Sequence, residues 1–490
     1  MLTAREPRWF TRRMRRIVSG FVVVGMVAVG AALTGGTPVS ASPLARQSDP
    51  VVLTGTNLPA LVNSARNSIV GFRWNGSAWV QLPIQIDERA VVNFGKIYND
   101  PSATFYGVKP AAMSALVYTS SATWTGKDPN TKFDSDDELA FMARDAGVQH
   151  PAGGSTPATT DPTSGVQIHV TDPLTPGSEG YVYLFRKAKG SKLASGAHVK
   201  YVKYKFKLLS GKYLTTYSRT AGPNPENSTL TGATYVQHFA DRWLSDSVKV
   251  TATGATGVDI LDRNKVLFAP GVCGRSEDTF DASGPNGSAE GVFVVNKTGP
   301  VRAIRSYLGA NSGPNTERTQ IFYDRREDVI TDLRVHEIPS VMDFLDYSPA
   351  ASGMTYRNDL NPAGVKIDGV PDSPTAGALS WEQVTGAPGT VTNVYTSSAS
   401  FTPASVSSYY LDDKTPSDPQ CTGDAYAYGS SGLYVNSTIP CTDPARGCSD
   451  SFHATRTMFF DGPGGTAASA QAHADAVTHP LQFTTATWRP

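Results

Sequence analysis

The sequence predicts an all-β, mainly antiparallel protein: a large β-sandwich or supersandwich preceded by a smaller β-rich domain. Three observations predict it. Short apolar or alternating runs recur between turn signals along most of the chain. Glycine (45) and proline (34) are abundant and charged residues make up only 18% of the 490 residues, which disfavours coiled coils, helical repeats and charge-rich disorder. Only Ala467 to Val477, ended by His479-Pro480, reads as a helix.

The first 41 residues have the pattern of an export signal. Arg5, Arg8, Arg12, Arg13, Arg15 and Arg16 precede an apolar run from Ile17 to Leu33, and Val39-Ser40-Ala41 is a small-residue cleavage site. The run is too short and too glycine-diluted for an ordinary spanning helix. Thr11-Arg12-Arg13-Met14-Arg15 is a partial twin-arginine pattern, so either export route is open. Cleavage after Ala41 leaves 449 residues with 37 basic and 42 acidic groups, a net charge of −5. That balance argues against nucleic acid as a partner. The expected location is secreted, with no membrane attachment after cleavage.

Residues 50–147 form the expected small β-rich domain. Ile69 to Trp74 and Trp79 to Ile86 flank Asn75-Gly76, whose residue types accept positive φ, and read as a hairpin. Pro83 marks an edge or a bulge. Residues 148–165, rich in Pro, Gly, Ser and Thr, read as a linker. Residues 166–490 form the expected large sandwich. Within it Val202, Tyr204, Phe206 and Leu208 alternate with Lys203, Lys205 and Lys207. Further strands read at 292–297, 301–307, 319–324, 329–338, 390–396 and 405–411.

Four cysteines, Cys273, Cys421, Cys441 and Cys448, lie beyond the signal. An even number in an oxidising compartment implies two disulfides. Three connectivities exist, and a local Cys441–Cys448 loop would leave Cys273–Cys421. No Cys/His spacing suits zinc.

Three groups of residues can carry chemistry. Asp134, Asp136, Asp137 and Glu138, with Asp128 and Asn130 upstream, put carboxylates at close intervals in one loop. Such oxygen ligands suit a structural calcium ion, although the EF-hand pattern is absent. Arg89 and Arg144 are expected to pair with carboxylates around the same strands. In the second group, Asp332, Arg334 and His336 alternate along a strand and so face one side, about 7 Å apart. Asp343 and Asp346 follow, Tyr323 precedes, and Arg302 and Arg305 lie on the strand before. A histidine among carboxylates and arginines can perform acid–base work; charges alternating on an exposed sheet face are the plainer reading. The third group is aromatic: Trp381, Tyr409, Tyr410, Tyr426, Tyr428 and Tyr434. Such rings can stack on sugars but more often fill a core. A nucleophile elbow, a phosphate loop and a zinc-protease helix are all absent from the sequence.

LPIQIDER and FDSDDELAFMARDAG resemble a pattern of exported bacterial proteins. GPVRAIRSY, with the later VHEIP, looks like the sheet region of the galactose-mutarotase-like supersandwich proteins. That resemblance implies a sugar ligand and nothing finer; the expected function is a carbohydrate-processing enzyme acting on a polysaccharide or oligosaccharide, a hydrolase or lyase. In a lyase Arg302, Arg305 or Arg334 would neutralise an acidic sugar, and His336 or Tyr323 would move the proton. In a hydrolase Asp332, Asp343 or Asp346 would supply the carboxylates. A non-catalytic binding protein with a structural calcium is the alternative.

Overall fold

The computed structural model describes residues 44–102, 109–192, 198–209, 226–241, 243–268, 292–310, 313–334, 337–401, 406–415, 426–443 and 451–490. The expected signal, His336, Cys273, Cys421 and Cys448 lie outside these residues. So the disulfide pairing and the role expected of His336 do too.

The expectation of an antiparallel β protein is met. A nine-stranded sheet runs in the order Val292–Thr298, Ala303–Ala310, Gly313–Phe322, Arg326–Leu333, Phe452–Asp461, Gly389–Ala399, Trp381–Gly386, Thr355–Asn358 and Val365–Lys366. Its centre is long-range. Arg326–Leu333 pairs with Phe452–Asp461, which pairs in turn with Gly389–Ala399. A four-stranded sheet, Leu261–Leu267, Val341–Tyr347, Ala427–Val435 and Val406–Asp413, supplies facing side chains. Leu261, Leu345 and Tyr347 from it meet Phe322, Val329, Val391, Met458 and Phe460 of the large sheet in one buried cluster. Burying each such side chain stabilises the fold by roughly 1.5–3 kcal/mol.

The alternation predicted at 202–208 is present, with Val202 and Tyr204 buried and the lysines exposed, although the ladder covers only Lys203–Lys205. The helix spans Ala467–Thr478. The Thr466 side chain caps it by accepting from the Ser469 N–H, and Ala470 and Ala474 pack on Trp381, Val394 and Phe459. Among the described residues no helix is long and apolar enough to cross a membrane.

The hairpin forms with Trp74 opposite Trp79. Gly76 takes positive φ (99°) while Asn75 does not, and Asn75 Oδ1 instead accepts from the N–H groups of Ser77 and Ala78. The turn is therefore four residues wide. At Pro83 the chain leaves this sheet and Gln85–Asp87 joins another, with Glu138–Met142 and Pro50–Thr54. A ladder also crosses the expected boundary at 148–165: Ile69–Trp74 pairs with Glu179–Arg186. Beyond that boundary the C-terminal strand Gln482–Thr487 pairs with Val166–Thr171. Those strands and Trp79–Leu82 make one five-stranded sheet.

Candidate functional site

The structure distributes the residues expected to act together over five separate clusters. Arg302 is buried between strands; it donates to Asp87 Oδ2 at 2.9 Å and to Glu138 Oε2 at 2.6 Å. Tyr323 is buried beside it, 3.5 Å from the guanidinium. Arg305 is buried on the opposite face of the sheet and donates to Glu226 Oε1 and Oε2 at 2.5 and 3.0 Å. Asp343, on the facing sheet, pairs with Arg318 and, at 3.0 Å, with Arg456. Asp346 pairs with Lys265 at 2.5 Å, both fully buried, and burial raises its pKa to about 6 despite that cation. These are fold-stabilising pairs. The structure does not bring Arg302, Arg305, Tyr323, Asp343 and Asp346 together as one site: adjacent strand positions point to opposite faces, and each group is engaged by a different partner.

Asp332 and Arg334 do meet. The strand ends at Leu333, so Arg334 lies beyond the ladder, and the alternation predicted to continue to residue 338 stops. Arg334 nevertheless folds back, with Nη2 3.4 Å from Asp332 Oδ1 and Nη1 3.7 Å from Glu317 Oε2. Across the large sheet Glu317 stands opposite Asp332, Asp332 opposite His453, and His453 opposite Ser398. Directly opposed residues share a face, so this row presents carboxyl, carboxyl, imidazole and hydroxyl groups side by side.

Within the row, Asp332 Oδ1 lies 2.9 Å from His453 Nδ1. A carboxylate there fixes the ring with its proton on Nδ1 and leaves the Nε2 lone pair outward. Thr455 Oγ1 is 3.5 Å from Nε2, at the limit of a hydrogen bond. His453 keeps 44% of its side chain exposed, and Thr396 and Ser398 beside it are exposed. The bond to Asp332 raises the His453 pKa, burial opposing it. Burial opposes ionisation of Asp332, but the His453 bond and the charges of Arg334 and His453 outweigh it and hold the carboxyl low. Glu317 goes the other way. Burial raises it to about 7, although Arg334 pulls it down. Its Oε1 accepts from Ser306 Oγ at 3.1 Å. Two carboxyls whose environments push their titrations apart, one of them bonded to an imidazole, are an arrangement acid–base chemistry uses.

Three other histidines pair with carboxylates among the described residues. His238 has both ring nitrogens engaged, by Asp246 and Asn227. His169 and His473 are stacked on Tyr181 and Phe459 and meet Glu179 and Asp461. His453 is the member whose carboxylate is tied to an arginine that also meets a buried glutamate.

The sequence reading did not single out His453 or Glu317. The signal for His453 was the alternation of FHATRTMFF, which puts His453, Thr455 and Thr457 on one face. Its partner lies 121 residues away. Most of the aromatic group packs: Trp381 is buried, Tyr410 stacks on Tyr356, and Tyr409 meets Phe344. Arg89 pairs as expected with Glu138 at 2.8 Å, whereas Arg144 pairs with Asp324, from a distant segment, at 2.7 Å.

In the acidic loop, one oxygen from each of Asp128, Asp134 and Asp137 lies within 4.8 Å of the others. Glu138, expected as a ligand, is instead held by Arg89, Arg302 and the Tyr118 hydroxyl. Asp136 is outside the trio.

No family model and no curated protein matches the chain. Solved structures do align with about half of it. A candidate aldose 1-epimerase from Escherichia coli K12 aligns at 11% identity and a TM-score of 0.27, covering 53% of this chain and 100% of its own. The protein HI1317 aligns at 8% identity and a TM-score of 0.28, covering 52% and 99%.

Proposed function

We propose that the chain is an exported carbohydrate-processing enzyme, a polysaccharide hydrolase or lyase, in which His453 moves the proton. The observation that carries the reading is the half-exposed imidazole held by Asp332. With Nδ1–H donated to Asp332, Nε2 faces outward and can take a proton from a substrate carbon acid, a water or a hydroxyl, and return it to a leaving oxygen. Asp332 stays ionised and steadies the imidazolium that forms. Thr396, Ser398 and Thr455 line the same face with hydroxyl groups, which suits a polyhydroxylated substrate. The basic and apolar N-terminal pattern supports action outside the cytoplasm, and that compartment would oxidise the cysteines.

A second reading is a carbohydrate-binding protein without turnover. One observation favours it: His453, Thr396 and Ser398 lie part-exposed or exposed on a sheet face, where hydroxyl groups alone can hold a sugar. One experiment separates the readings. The purified chain is incubated with neutral and uronic-acid polysaccharides and the products are weighed by mass spectrometry. Chains shortened with one water added mean hydrolysis, and unsaturated ends mean a lyase. Retention on a polysaccharide without product supports the binding reading, and neither product nor retention removes carbohydrate from both.

A further inference from the structure

The loop that leads into Glu138–Met142 carries more negative charge than its surroundings answer. Asp137 is fully buried and Asp128 is 4% exposed. Asp137 Oδ1 and Oδ2 each accept one backbone N–H, from Arg89 and Asp134. Asp128 Oδ1 accepts from the Asn130 N–H, but Asp128 Oδ2 is buried and has no hydrogen-bond partner. The neighbouring cations make their direct bonds elsewhere. Arg66 is bonded to Glu88 at 2.6 Å, and the Arg89 guanidinium to Glu138 and the Asp136 carbonyl. A buried carboxylate oxygen with no donor is costly, and here it belongs to a carboxylate within reach of two more.

We propose that Asp128, Asp134 and Asp137 bind a calcium ion that fastens this loop. The donors are all oxygen, which selects a hard cation. Oxygens bonded to calcium at its usual length lie no more than about 5 Å apart, and the three here lie within 4.8 Å. Three carboxylates from one loop suit calcium better than magnesium, which keeps more water and takes one or two. The ion sits where the loop crosses the end of the first strand: the N–H of Gly55 donates to Asp137 O and that of Thr56 to Ser135 O. The ion fastens residues 128–137, and those backbone bonds tie the fastened loop to Gly55 and Thr56. Its role is structural and separate from the chemistry at His453.

The test uses the purified chain, freed of metal with EDTA and titrated with calcium chloride alone in a calorimeter, with melting followed in parallel. Expected are one ion bound per chain and a melting temperature that rises and saturates with calcium. Asp128→Asn and Asp134→Asn should each weaken binding at least tenfold, while the remote Asp161→Asn binds as the parent does. Asp137→Asn is set aside because its oxygens also hold two backbone N–H groups. Absence of both heat and melting shift in the parent overturns the proposal, as does undiminished binding in both Asp128→Asn and Asp134→Asn. Tighter binding of magnesium chloride than of calcium overturns the choice of ion.

Discussion

Asp332 and His453 stand directly opposite each other on adjacent antiparallel strands, with Oδ1 2.9 Å from Nδ1. One prediction follows for the pair. His453→Ala should lower kcat/KM by about 10²–10⁴-fold on whichever polysaccharide the chain processes, the usual range for a lost proton carrier. Because both groups are part-exposed, stability should change by no more than about 1 kcal/mol. Asp332→Asn should bring the His453 pKa back down, which an NMR titration of the ring protons reads directly. Full turnover in folded His453→Ala would remove His453 from the mechanism.

Asp332 was legible in the sequence because its alternation with Thr331 and Leu333 marks a strand with two unlike faces. His453 was not, because what makes it notable is a ladder between Arg326–Leu333 and Phe452–Asp461, a tertiary fact. The arginines misled for a related reason. Arg302 and Arg305 look like surface charges in GPVRAIRSY, and their partners Glu138 and Glu226 come from distant segments. Local features were read more faithfully, among them the helix after Thr466, the lysine alternation at 203–207 and the break at Pro83, since each depends on neighbouring residues alone.

Buried glutamates set the pH dependence of stability. Burial raises Glu327 to about 7, against the pull of Arg456 and a hydrogen bond from Gln320, and raises Glu317 equally. An unfolded glutamate titrates near 4.3. Between those values the folded chain holds protons that the unfolded chain has released, so stability falls as pH rises. His453 acts in the same sense, because its folded pKa is raised and its contribution is lost as pH climbs through it. Asp332 acts oppositely at the acid end: its contribution is present above the unfolded value, about 3.9, and is lost as pH falls through the lowered folded one. Calorimetry should show the melting temperature declining from about pH 5 to about pH 7.5. Glu327→Gln should flatten that decline and be at least as stable as the parent above pH 7. An unchanged slope in the variant would show that Glu327 is ionised in the folded chain throughout.

Arg305 offers a test of whether its role is catalytic or structural. It and Glu226 are fully buried, and its guanidinium also meets the Tyr204 hydroxyl at 3.2 Å and the Asp241 carbonyl at 2.9 Å. Removing one member of such a pair strands the other, so Arg305→Ala should cost about 3–5 kcal/mol in denaturant unfolding. Replacing both, Arg305→Met with Glu226→Leu, should recover much of the loss, because no buried charge then remains. The folded fraction of Arg305→Ala should keep its turnover. A specific loss of activity with little loss of stability would return Arg305 to the site.

Gly432 ties the facing sheet to the same core. It sits between Phe344 on one side and Tyr409 on the other. A Cβ there would lie 2.3 Å from the Asp343 carbonyl oxygen and 2.5 Å from the Phe344 Cα. Neither is the end of a flexible side chain, so Gly432→Ala must move the backbone of Val341–Tyr347. That strand carries Asp343, which holds Arg318 and Arg456 from the large sheet. The expected cost is about 1–3 kcal/mol, as for other overpacked positions. It should appear as a lower melting temperature with kcat unchanged, since the row of Glu317, Asp332 and His453 lies on the other face of the large sheet. A variant of parental stability would mean that the two strands have slack the close approach does not suggest. A fall in kcat alone would mean that the two faces of the sheet are coupled through Asp343 and its arginines.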